Sequence, residues 1–182
     1  MKPEAALSAE QAHLADLLEA MQRCVYFLEA SNRRCPWPLQ SNLLSARRKD
    51  TRLFESLAAM NERFAKLQDT LGSAMRHAAL LAGEKGDTFI RILAFFEKTG
   101  VISSVTAWQL RRTVRNMAAH AYETDYAEIA EYFNSLNSLI PDLYADTDRF
   151  LAFCRETLRI LPSGGDFTQE FQQIVGGRTD QA

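Results

Sequence analysis

The stretch Leu53-Phe54-Glu55-Ser56-Leu57-Ala58-Ala59-Met60-Asn61-Glu62-Arg63-Phe64-Ala65-Lys66-Leu67-Gln68-Asp69-Thr70-Leu71-Gly72-Ser73-Ala74-Met75-Arg76-His77-Ala78-Ala79-Leu80-Leu81 decides the architecture. Leu53, Leu57, Met60, Phe64, Leu67, Leu71, Ala74, Ala78 and Leu81 follow one another in alternating steps of four and three. That is the repeat of a long helix with one face in a bundle or coiled-coil seam. Gly72 interrupts the helix without ending it, and Gly83 with Gly86 closes it.

Upstream, Leu14, Leu17, Leu18, Met21, Val25 and Leu28 draw one apolar stripe on a helix from about Ser8 to Ala30, with Ser8 as its N-cap. Cys35-Pro36-Trp37-Pro38 breaks it, because each proline moves its predecessor out of α geometry. A polar connector carrying Arg47, Arg48 and Lys49 leads into the long helix. Downstream, Phe89, Ile92, Leu93 and Phe96 mark a short helix from about Asp87 to Lys98, ended by Gly100. A fourth helix starts at Ser103 or Ser104 and runs to about His120, with Val105, Trp108, Leu110, Val114 and Met117 as its apolar positions. Asp125 and Glu128 form a capping box for a fifth, which reaches about Leu158. Its buried face is Ile129, Phe133, Leu136, Ile140, Leu143, Thr147, Phe150 and Cys154, with Pro141 bending it.

Strand signals are nearly absent: no alternating β-branched runs, no Asn-Gly or Asp-Gly hairpin turns. The expectation is one all-α domain over residues 1–182, an up-and-down bundle of about five helices. Its core spans about residues 8–160, and residues 161–182 form a polar, partly flexible tail with a short helix from Asp166 to Val175.

Composition is that of an ordinary globular chain: 182 residues, 47% hydrophobic, 24% charged, net charge −2. No apolar run approaches the ~18 residues of a membrane span, and Met1-Lys2-Pro3-Glu4 opens no apolar signal region. Cys24, Cys35 and Cys154 are odd in number and far apart, which fits free thiols in a reducing cytoplasm and argues against a disulfide framework or a zinc site.

Charge is unevenly distributed. Arg111, Arg112 and Arg115 cluster, and no lysine or arginine then appears from Asn116 to Asp148, where seven acids do. At this boundary lies Arg115-Asn116-Met117-Ala118-Ala119-His120-Ala121-Tyr122. A permanently charged guanidinium beside an imidazole that titrates near neutrality suits the handling of a phosphodiester. On one helix Asn116 and His120, at i and i+4, share a face, while Arg115 and His120 stand roughly 140° apart. Two such helices meeting across a two-fold axis set one chain's arginine near the other's histidine, so the geometry favours a homodimer. His120 then serves as acid or base for a ribose 2′-OH and its leaving oxygen, Arg115 stabilises the phosphorane charge, and Asn116 holds an oxygen or orients the imidazole. Neither paired histidines nor clustered carboxylates stand at ligand spacing around the motif, so neither a metal nor a cofactor is expected. By residue type alone, the cluster also suits helix capping and dipole compensation.

Arg115-Asn116-x-x-x-His120 resembles the R-x4–6-H signature of the HEPN superfamily, and Arg115-x4-His120-x-Tyr122 resembles the R-x4-H-x-Y form of HepT-type toxins. Arg63-Phe64-Ala65-Lys66-Leu67-Gln68-Asp69 is similar to a segment of bacterial HEPN proteins of this size, and the likeness covers roughly residues 8–160. The resemblance implies a HEPN-like bundle that dimerises through the motif helices and acts as a metal-independent endoribonuclease. It also implies pairing, as a toxin, with a minimal nucleotidyltransferase antitoxin. By position, Arg115 and His120 are the catalytic pair, Asn116 the polar accessory, and Tyr122 the tyrosine that such antitoxins modify with AMP. Asp69 is a candidate to pair with Arg115 or orient His120, and Arg111 and Arg112 are candidates for RNA contacts. Glu123 and Asp125 oppose an RNA backbone unless they face away, which leaves open a non-catalytic module that binds a nucleotide for a nucleotidyltransferase. A purely structural helical dimer is a third possibility.

Overall fold

The computed structural model describes residues 3–84, 86–117 and 125–179. Among them there is no strand. The helices are α1 (Pro3–Asn32), α2 (Ser41–Ala46), α3 (Thr51–Leu81), α4 (Phe89–Lys98), α5 (Val105–Asn116), α6 (Tyr126–Phe153) and α7 (Thr168–Thr179), with a π-helical turn at Cys154–Leu158 after α6. The protein is all-α.

The seam of α3 is the core of the molecule. Each seam residue from Leu53 to Ala78 is buried, and Leu81 at the helix end is partly open. Leu14, Leu18, Met21, Val25 and Leu28 of α1 pack against it, all fully buried. The two helices run antiparallel: Arg63 of α3 bonds the Phe27 carbonyl of α1, while His77, four turns later, meets Glu10 at 2.7 Å. On α6, Ile129, Phe133, Leu136, Ile140, Leu143, Thr147 and Phe150 all turn inward, as their spacing requires. Phe96 of α4 joins this core edge-on to Phe150 and Phe153, with ring centroids 5.6 and 5.4 Å away.

Three helix starts follow side-chain chemistry. The Asp50 carboxylate accepts from the Leu53 amide at 3.0 Å and caps α3. Ser104 accepts from Ala107 at 2.9 Å, and Asp125 accepts from Ala127 at 2.7 Å, starting α5 and α6. At α1 the expected Ser8 cap lies inside the helix, which begins at Pro3. Proline is tolerated in a first turn, and the Glu-Ala-Ala-Leu after it favours helix. Two segments close on a residue with positive φ: Gly83 at 79° after α3, and Arg159 at 60° after the π-helical turn.

Two features depart from the sequence expectation. The connector before α3 holds a helix, α2, anchored by buried Leu44. The C-terminal segment folds back on α1: Phe171 is fully buried, Thr168 bonds Gln22 at 3.0 Å, and the Gly165 amide donates to Glu19 at 2.7 Å. All three cysteines are free, and burial pushes the thiol of Cys35 up to about 11 and that of Cys154 to about 12.

The Asp50 cap makes a prediction. Its bond from Leu53, with help from Arg47, holds the carboxyl below the ordinary carboxylate range. A lowered folded pKa means the cap stabilises above the unfolded value and is lost as pH falls through the folded one. Asp50→Asn keeps a capping oxygen without the charge. Melting temperatures measured at pH 5 and pH 3 will therefore fall less in the variant than in the wild type; equal falls would show that this carboxylate contributes nothing to acid sensitivity.

Candidate functional site

Helix α5 is held by two other helices, α3 and α6, through Arg111 and Arg115, which share a face at i and i+4. Toward α3, the buried Gln68 carboxamide donates to the Trp108 carbonyl at 3.0 Å. About two turns on, Arg115 Nη1 lies 2.6 Å from Asp69 Oδ1 and donates to the Ala65 carbonyl at 3.0 Å. The pair is lopsided: the Arg115 side chain is 12% exposed and that of Asp69 65%. A guanidinium aimed into α3 is thus held by a carboxylate that faces water. The structure brings together two of the candidate residues, Arg115 and Asp69, through the i, i+4 carbonyl and carboxylate that α3 offers at 65 and 69.

Toward α6, Arg111 is fully buried and its Nη2 pairs with Asp146 Oδ2. Asp146, also fully buried, takes Arg149 Nη2 at 2.5 Å on its other oxygen, and Arg149 Nε donates to the Val101 carbonyl at 3.0 Å. Burial raises the Asp146 carboxyl, while Arg111, Arg149 and a Ser103 backbone bond pull against that rise. Arg111 is therefore corrected from an RNA contact to an internal ion pair, since a guanidinium sealed between α5 and α6 does not reach a phosphate in solvent. Asp146 likewise leaves the acidic surface to which its sequence neighbours suggest it belongs. Leu110 and Met117, expected on the apolar face, are each 54% exposed instead.

Arg112 and Asn116 turn away from both holds. They are exposed and line a cleft of about 430 Å³ walled by Phe89, Leu93 and Trp108. Gly72 of α3 lies behind this wall: a Cβ there would stand 3.2 Å from the Phe89 ring and 3.4 Å from Trp108. The glycine in the middle of the seam is thus explained by close packing. Arg76 lies over the Phe89 ring, 4.2 Å from its centroid.

Asn116 is the last residue of α5, so Arg115 and Asn116 reach the C-terminal end of the helix side by side on different faces. His120, Tyr122 and Glu123 lie outside the described residues, and with them the Arg115–His120 geometry expected from the motif. Asp125 is occupied as the cap of α6.

The sequence reading missed Gln68 and Asp146, both held inside. A signal for Asp146 existed: it lies three residues after Leu143 and four before Phe150, on the apolar face of α6. Compared with family models, curated proteins and solved structures, the chain matches none.

Proposed function

We propose that the chain is an endoribonuclease of the HEPN type, acting as a homodimer in which Arg115, Asn116 and His120 carry the chemistry. The reading makes it metal-independent and cytoplasmic, with RNA as substrate and a minimal nucleotidyltransferase as antitoxin and modifier of Tyr122. The observation that carries it is the holding of Arg115. A guanidinium bonded through Nη1 to both Asp69 and the Ala65 carbonyl is fixed in place before substrate arrives. Such a fixed cation stabilises a developing phosphorane without reorganising, and its fork retains further N–H donors for phosphate oxygens. Asn116, on the next residue, supplies a carboxamide at the same helix end.

Cleavage of a fluorogenic single-stranded RNA tests the proposal. Wild type will cut in the presence of EDTA, spare the 2′-deoxy analogue, and leave a cyclic phosphate. Arg115→Ala and His120→Ala will each lose roughly 100-fold or more in rate, the usual scale for removing a charge-stabilising donor or a general acid. Cleavage that survives both substitutions, or wild-type protein that never cuts, sinks the nuclease reading.

One observation favours a second reading, a non-catalytic nucleotide holder that serves a nucleotidyltransferase. The cleft walled by Phe89 and Trp108 and lined by Arg112 and Asn116, about 430 Å³, has the size and mixed lining of a small-ligand site. ATP binding abolished by Arg112→Ala, with no RNA cleavage by any form, would select it.

A further inference from the structure

Away from the motif, four arginines from three parts of the chain converge on one cleft. Arg34 follows α1, Arg47 ends α2, and Arg52 and Arg63 stand on α3, around a space of about 680 Å³. In sequence Arg34 and Arg47 suit either a wider RNA footprint or a solvated loop; folding gathers them with Arg52 and Arg63. The lining includes a single acid, Glu55. Asp50 takes Arg47, to whose Nε it lies at 3.0 Å. Among the described residues, Arg34, Arg52 and Arg63 have no acidic partner, in a chain whose net charge is −2. Self-repulsion of this kind is unfavourable unless an anion relieves it.

The cleft is built, not only charged. Arg63 donates to the Phe27 carbonyl at 3.1 Å and to the Ser31 hydroxyl, and its guanidinium lies over the Phe27 ring at 5.5 Å. Ser31 is buried and in turn bonds the Phe27 carbonyl at 3.1 Å. One arginine is therefore locked at the wall, while Arg34 and Arg52 are exposed and free to close on a ligand. Forked guanidiniums around a space of this size match phosphate oxygens better than carboxylates carried on a flexible peptide.

The cleft is also connected to the motif. Arg63, exposed Lys66 and Asp69 follow one another in steps of three along α3, so they form a slanting row on its surface. Roughly 9 Å of helix rise separates the first from the last. The row begins in the arginine cleft and ends on the carboxylate that holds Arg115.

We propose that this cleft binds the phosphate backbone of single-stranded RNA, a few nucleotides from the point of attack, with Lys66 as the stepping stone between them. The proposal rests on the nuclease reading for the identity of its ligand. Its test separates the two. Fluorescence anisotropy with a labelled ten-nucleotide 2′-O-methyl oligouridine, which 2′-OH attack cannot cleave, reads binding independently of chemistry. Relative to wild type, Arg34→Gln combined with Arg52→Gln will weaken binding at least about tenfold and reduce the slope of log affinity against log salt by about 1.4, two phosphate contacts' worth. Arg155→Gln combined with Arg159→Gln, which removes the same charge elsewhere, will change binding less than twofold. Circular dichroism verifies that both variants are folded. Cleavage of a dinucleotide, too short to span the row, will be equal in wild type and the cleft variant. If the oligonucleotide binds at the cleft but no form cleaves RNA, the nuclease reading fails and the cleft stands. Equal oligonucleotide affinity in wild type and cleft variant overturns the proposal. So does cleft-dependent binding of ATP or polyglutamate by a protein that ignores the oligonucleotide.

Discussion

Asp146→Ala will cost about 3–5 kcal/mol of folding stability, the range for breaking a buried ion pair from one side. The carboxylate lies between two guanidiniums, and its partner Arg111 is fully buried. Two nitrogens of Arg111, Nε and Nη1, already lack a hydrogen-bond partner among the described residues, so the loss of Asp146 would strand the whole group. For a chain of this size such a loss lowers the melting temperature by about 6–20 °C. Replacing both ends together, Arg111→Met with Asp146→Leu, will recover most of that loss, because hydrophobic isosteres avoid the desolvation of both ions. Urea unfolding of the single and double variants decides the matter. A single variant within 1 kcal/mol of wild type would mean that the buried network contributes no stability. A double variant no better than the single would locate the effect in packing.

Phe96→Ala follows at about 3–5 kcal/mol, the usual cost of emptying a fully buried aromatic site. Phe96 is the hub of a ring cluster, edge-on to Phe95 at 4.9 Å as well as to Phe150 and Phe153. Its own carbonyl also holds the turn after α4, accepting from Val101 at 2.8 Å and from Thr99 Oγ1 at 3.2 Å. Because α4 contributes Phe89 and Leu93 to the cleft beside Asn116, the variant will loosen that wall as well as the core. Hydrogen exchange will show α4 opening at lower free energy than α1 and α3. The neighbouring Phe95→Ala, at a partly buried position, serves as the control and will cost clearly less. Equal losses at the two positions would contradict the assignment of Phe96 as the hub.

Much of this architecture is legible in the sequence because the long helices are regular. The alternating steps from Leu53 to Ala78 leave one possible buried face, and that face is the core. Short elements are harder. Ser41–Ala46 presents one buried residue, Leu44, and six residues carry too few turns for a period to emerge. The fold-back of the C-terminal segment depends on Phe171 finding α1, a contact between distant parts of the chain. The site divides in the same way. Arg115 and Asp69 are suggested as partners by residue type and helix placement, and the structure pairs them. Arg111 and Arg112 are indistinguishable in sequence, yet one is sealed against Asp146 and the other lines a cleft. One residue of rotation, 100° around a helix, makes that difference, and it depends on where α3 and α6 lie.

The double grip on α5 also has a consequence for the order in which the chain is made. Ala65, Gln68 and Asp69 of α3, which hold α5, leave the ribosome before it does; Asp146 of α6, which holds Arg111, leaves about thirty residues later. A nascent chain that has just completed the motif has its docking surface on α3 but not its lock on α6. Arg115 therefore has its partners as soon as it is made, whereas Arg111 is secured late in synthesis, and a ribosome stalled between the motif and Asp146 would carry an α5 with its first hold and without its second.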